Sequence, residues 1–339
     1  MGKIYILNRN LNFMASQKHK ADLHYHGPIG FEPYWLRVQG YSGKNLLKLI
    51  ADTCFKRDIT ICALTSESDQ VNKRGLIYLN SVHDRINYVA QTYINNLNKY
   101  YEGYHADKFG NNSIIVEKED EKGKKTLYLI SGQTPIIKEK ISGDKIIRFD
   151  HLVIGSDQVP NSIDNTSLKT LEDTINYCND KGLLHGFEHP SLEAHFGIGL
   201  ERAKEYTNKV DFVEGHNAQI RFGKIWKNVP KIGKYTRENN DKAKAFAMAN
   251  NLPYVANSDG HMIESAGIAY NEFDANLIDE SNEEKLLQTL KSTIRDSNKL
   301  REEGKSLTHE GYEDFLNSIE SIWKFLIGIR KSKERFRLP

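Results

Sequence analysis

Helix-like stretches that each hand over to a short apolar run recur along this chain. That alternation constrains the fold more than any other feature. Ser42-Gly43-Lys44 opens an amphipathic stretch that runs to Arg57 with Leu46, Leu47, Leu49 and Ile50 on its apolar side, and the β-branched run 59–64 follows it. The same order returns at 168–182 before LLHGFEHP, at 200–209 before VDFVEG, and at 241–251 before LPYVANSDGH. Gly182 stands where a helix C-cap belongs. Repeated helix-then-strand units of this length predict a parallel α/β architecture, barrel or open sheet.

Two regions break the rhythm. Residues 71–112, rich in Tyr and Asn, read as a helical insertion. Residues 113–154 hold three strand-like runs, SIIVEKE, KTLYLIS and KIIRFDHLVIGS, with EDEKGK and KISGDK as turns between them. Residues 283–303 read as a charged helix. Phe315, Ile319, Ile322, Trp323 and Leu326 then recur at helical spacing, followed by a basic tail. The expected organisation is one barrel-type domain over 1–303 and an amphipathic helical appendage over 304–339 packed on it.

Lys and Arg total 47 against 45 Asp and Glu, a net charge of +2, so no strong field for nucleic acid or membrane is expected. Cys54, Cys62 and Cys178 form no CxxC pair, which argues against a disulfide scaffold or thiolate metal site and for a reducing compartment. The opening MGKIYILNRNLNF is too short and polar for a secretory h-region, and no run approaches the ~18 apolar residues of a membrane span. A cytoplasmic location is the expectation.

Three motifs carry chemistry. Asp22-Leu23-His24-Tyr25-His26 places two imidazoles on one face of a strand, a bidentate clamp for a metal. Glu188-His189-Pro190 ends LLHGFEHP, and the proline predicts an extended backbone at His189. Asn257-Ser258-Asp259-Gly260-His261 follows an apolar strand, where α/β enzymes carry their sites. His83, His105, His185, His195 and His309 read as surface or structural.

Together with Val213-Glu214-Gly215-His216-Asn217, these motifs resemble the PHP (polymerase and histidinol phosphatase) family over about residues 18–270. The stretch AKAFAMANNLPYVANSDGHMIESAG looks like that family's final helix, strand and metal loop. The resemblance implies a distorted (β/α)7 TIM-like barrel with metals at the C-terminal ends of its strands. His24, His26 and Asp259 would hold one metal and act in catalysis. His189 would hold a second together with His151, and His261 would serve a third.

The chain departs from the family pattern in places. Glu67, in Thr65-Ser66-Glu67, stands where a histidine is expected. Gly132-Gln133-Thr134 replaces the turn that carries a bridging glutamate. Glu32 is a candidate for the acidic ligand after the HxH motif. Glu214 and His216 are candidate replacement ligands, and Arg221 is a candidate phosphate contact.

The resemblance therefore implies a metal-dependent phosphoesterase that uses Zn, Mn or Fe, with fewer than three ions bound. Its substrate would be a phosphorylated small molecule or nucleotide, nucleic acid being less favoured. Two other readings are a degenerate domain that binds a phosphorylated ligand or a partner without turnover, and an amidohydrolase-like enzyme acting on a non-phosphate bond.

Overall fold

A computed structural model describes residues 18–26, 46–67, 91, 93–121, 123–142, 145–156, 170–193, 196–218, 233–260 and 262–311. The strands are β1 (Lys18–Tyr25), β2 (Ile61–Glu67), β3 (Tyr104–Lys108), β4 (Ser113–Asp120), β5 (Gly123–Thr134), β6 (Ile136–Ser142), β7 (Lys145–Ile154), β8 (Leu184–Phe187), β9 (Phe212–Asn217), β10 (Tyr254–Asn257), β11 (Tyr270–Asp274) and β12 (Ser306–His309). The helices are α1 (Leu46–Lys56), α2 (Leu171–Asp180), α3 (Leu200–Lys204), α4 (Gly233–Ala249), α5 (Glu283–Arg295) and α6 (Ser297–Glu302).

Nine strands form one path, β10-β9-β8-β7-β5-β2-β1-β11-β12. A parallel bridge between Tyr25 and Gly260, with the Asp259 amide donating to His24 O at 2.6 Å, returns the β10 end to β1. The result is a mixed α/β protein around a nearly closed, barrel-like sheet. β1, β2 and β5 run parallel, as do β8, β9 and β10. The parallel order expected of the helix-then-strand units is interrupted at β7, which is antiparallel to both β5 and β8, and at β11, which is antiparallel to β1. Only the short β6, a strand that sequence reading did not anticipate, separates β5 from β7. A connection that short cannot carry the crossover a parallel pair needs.

Ala21, Leu23, Ile61, Ala63, Ile130, Leu152, Leu184, Phe212 and Val255 pack with Leu286, Leu290 and Ile294 of α5. The four-residue spacing in α5 turns those three onto one face. Outside the sheet, Leu46, Leu47, Ile50 and Cys54 of α1 pack against Tyr25. α2 begins with a capping box between Thr170 and Asp173, and Gly182 just beyond its end takes φ +68°.

Residues 93–100 are helical, but β3 follows within the span expected to be a helical insertion, and 71–90 lie outside the described residues. β12 pairs with β11, so residues 306–309, expected to belong to the helical appendage, are part of the sheet. The stripe from Phe315 to Leu326 lies outside the described residues. Among the described residues no helix is long and apolar enough to cross a membrane. The three cysteines are free and buried.

Candidate metal centre

The C-terminal ends of β1, β8, β9 and β10 meet at one buried cluster, and backbone irregularities aim its side chains. The β1–β2 register shifts between Asp22 and Tyr25. Leu23 packs in the interior, His24 and His26 reach the cluster, and Tyr25 packs outside on α1. The β9–β10 register shifts between Val255 and Ala256, opposite Glu214 and His216, which leaves Gly215 as the extra residue. A bulge of this kind re-aims the side chains that follow it. Glu214 and Asn217 both point into the cluster, while His216 points out and donates from Nε2 to Gly311 O at 2.7 Å. A Cβ on Gly215 would lie 3.0 Å from Lys244 and Tyr254 side-chain atoms, so close packing holds that position to glycine.

The first group is a triangle. His24 Nε2 lies 3.0 Å from His26 Nε2, His26 Nε2 lies 3.0 Å from Asp259 Oδ1, and His24 Nε2 lies 3.4 Å from the same oxygen. Two ligands each ~2.1 Å from a tetrahedral ion stand about 3.4 Å apart, so these edges are close to those of a metal site. Asp259 holds φ +48°, a left-handed conformation that costs an aspartate on the order of 1 kcal/mol and is common at functional turns. Asp22 lies beneath it, fully buried. Asp22 accepts from the Ser258 amide at 3.1 Å, the Ser258 hydroxyl at 2.5 Å and the Gly267 amide at 2.8 Å. Burial pushes its carboxyl up to about 6 against those hydrogen bonds.

Glu214 organises this triangle from outside. Oε1 accepts from His24 Nδ1 at 2.8 Å and Asn257 Nδ2 at 3.0 Å. Oε2 accepts from the His189 amide and Asn217 Nδ2, each at 3.0 Å. A carboxylate on Nδ1 keeps the proton there and leaves Nε2 as the ligating atom, the usual outer support of a metal-bound histidine. Asn217 Nδ2 also donates to Asp259 Oδ2 at 2.9 Å, which leaves Oδ1 facing the triangle.

A second group lies beside the first. Asp150, Glu188 and His189 present ligand atoms within 4.8 Å of one another. Glu188 Oε1 lies 3.0 Å from His189 Nε2 and 3.4 Å from His24 Nε2. Glu188 Oε2 and His189 Nδ1 are buried with no hydrogen-bond partner among the described residues.

Asp150, Glu188, Glu214 and Asp259 thus face His24, His26 and His189 in a cluster almost sealed from water. Burial opposes the charged form of His24, but Glu188, Glu214 and Asp259 outweigh it and hold the imidazole well above its ordinary range. His189 is raised to about 9, against burial, chiefly by Glu188. Glu214 is held low by His24 and His189 despite its own burial. Buried carboxylates in excess demand positive charge. The oxygen and nitrogen donors, the triangle and the orphan Glu188 oxygen fit a divalent cation.

Of the residues expected from sequence, the structure brings together His24, His26, His189, Asp259 and Glu214. His151 is a correction. It lies on the opposite face of β7, with Nε2 3.0 Å from His185 Nδ1 and its ring edge-on to Phe187. Strand alternation sends Asp150 into the cluster in its place, and sequence reading missed it for want of the β7 register. His216 is likewise outside the cluster.

His189 holds φ +24° rather than the extended form its following proline suggested, with its amide tied to Glu214. Glu67 and Thr134 are register partners at the ends of β2 and β5. Glu32, Arg221 and His261 lie outside the described residues. His105 is exposed, His309 stacks on Tyr270, and His185 is buried against His151.

The family profile described as PHP-associated matches residues 237–293, from α4 through β10 and the Asp259 loop into α5, and points to a PHP-domain protein family. No curated protein sequence matches the chain. Among solved structures, the crystal structure of PsfC from Pseudomonas syringae PB-5123 is similar over 83% of this chain and 99% of that one. Its sequence identity is 12% and its TM-score 0.43, a likeness too slight to argue from.

Proposed function

We propose that this chain is a metal-dependent hydrolase of the PHP type, and within that class a phosphoesterase acting on a phosphorylated small molecule or nucleotide. The observation that carries the reading is the His24–His26–Asp259 triangle, with edges of 3.0, 3.0 and 3.4 Å in a buried, carboxylate-rich cluster. The barrel of this reading is a distorted (β/α)7 ring of β1, β2, β5, β7, β8, β9 and β10 with β7 reversed.

His24, His26 and Asp259 hold the cation. Glu214 fixes the His24 proton on Nδ1, and Asn217 turns Asp259 Oδ1 inward. A bound Zn, Mn or Fe ion supplies the Lewis acidity that activates a water and neutralises charge on a phosphoryl group. Arg221 is assigned to the phosphate, and Glu32, Glu67 and His261 to further ligation. The buried, free cysteines accord with a cytoplasmic enzyme.

The test is elemental analysis of the purified protein together with a phosphatase panel run with added Mn²⁺ or Zn²⁺. Bound metal and turnover, both lost in Asp259→Asn, support the reading. Metal without turnover of any phosphate ester favours a binding domain, the reading motivated by Thr134 at the place of a bridging glutamate. Failure to retain any divalent cation ends the metal-hydrolase reading.

A further inference from the structure

We infer that Glu188 is the bridging carboxylate of a two-metal site, joining an ion on His24, His26 and Asp259 to a second on Asp150 and His189. The inference rests on the reading of the first group as a metal site and goes beyond it. Two cations held ~4 Å apart need a shared anionic ligand between them to offset their repulsion. Thr134 cannot serve, because a neutral hydroxyl brings no charge. Glu214 cannot serve either, because each of its oxygens already accepts two hydrogen bonds from groups locked in the fold.

Glu188 differs from both. Its Oε1 stands between the groups, 3.4 Å from His24 Nε2 and 3.0 Å from His189 Nε2. Its Oε2 is buried and has no hydrogen-bond partner among the described residues. A buried polar oxygen left without a hydrogen bond is expensive, and a cation removes the cost. The backbone explains how two successive residues serve one cluster. In a regular strand Glu188 and His189 would point to opposite faces. At φ +24° His189 leaves the strand conformation, and its amide is held by Glu214. Asp150 arrives from the reversed β7, the strand that pairs with β8 on this side.

The experiment is a Mn²⁺ titration of metal-stripped full-length protein, with bound metal counted by elemental analysis and spin coupling read by electron paramagnetic resonance. Neither readout depends on turnover. Wild type is expected to bind at least two ions per chain with an exchange-coupled pair signal. Glu188→Gln, nearly isosteric, is expected to bind one ion fewer and to show only uncoupled Mn²⁺, and Asp150→Asn to do the same, with circular dichroism unchanged. If Glu188→Gln keeps the full count and the coupling, the bridge lies elsewhere and the inference is overturned. If wild type binds a single uncoupled ion that Asp259→Asn removes, the inference fails while the metal site on His24, His26 and Asp259 stands. If wild type binds no ion, both fail.

Discussion

Glu214→Gln isolates the support of the site from its ligands. The amide matches the carboxylate in shape but must place its NH2 where one carboxylate oxygen now accepts two hydrogen bonds. In one orientation it faces His24 Nδ1–H and Asn257 Nδ2–H, and in the other the His189 amide and Asn217 Nδ2–H. Either way two buried donors lose an acceptor, at about 1–3 kcal/mol each, or ~2–6 kcal/mol in all. His24 can relieve its part by moving its proton to Nε2 and accepting at Nδ1. That tautomer takes the ligating lone pair away from the triangle. Metal affinity should then fall by roughly 10–100-fold, as for other outer supports of histidine ligands. The assay pairs urea unfolding of the metal-free protein with Zn²⁺ affinity measured by chelator competition. A variant with wild-type affinity and wild-type stability would falsify the claim that Glu214 sets the His24 proton.

Asp259→Asn should lower metal affinity by more than the roughly 100-fold of an outer-support change, because it removes a charged ligand while Asn217 and the fold remain. Elemental analysis and circular dichroism check it, and full metal occupancy would make Asp259 structural. Gly215→Ala should destabilise by about 1–3 kcal/mol, since its new methyl meets Lys244 and Tyr254 at 3.0 Å. Unfolding unchanged from wild type would deny the tight packing at the β9 bulge.

His185 makes the fold acid-labile. Burial, then Lys291 and Arg295, depress it to about 3. The unfolded chain therefore takes up this proton below pH 6.5 while the folded chain refuses it. Its contribution is complete above pH 6.5 and is lost at about 1.4 kcal/mol per pH unit as pH falls toward 3, or about 2 kcal/mol by pH 5. Denaturant midpoints at pH 7 and pH 5 measure the loss. A His185→Asn variant with the same pH slope would remove His185 as its source.

The residue types of the site, and the strands that bear them, were legible in the chain itself. EHP and NSDGH each follow an apolar run, and i, i+2 alternation within DLHYH was enough to join His24 with His26. The oxygen and nitrogen chemistry followed from the same motifs, because no cysteine pair competes with them. What sequence could not give was parity. Asp150 and His151 are neighbours, and only the pairing of β7 with β8 decides that the aspartate faces the cluster and the histidine faces His185. Glu214, His216 and Asn217 share one short strand, and only the bulge at Gly215 selects the first and third. Glu188 precedes a histidine that an extended backbone would have set on the opposite face. The physical reason is common to all three. A strand's alternation is a local property, but its phase is fixed by hydrogen bonds to strands distant in sequence, and one extra residue reverses it.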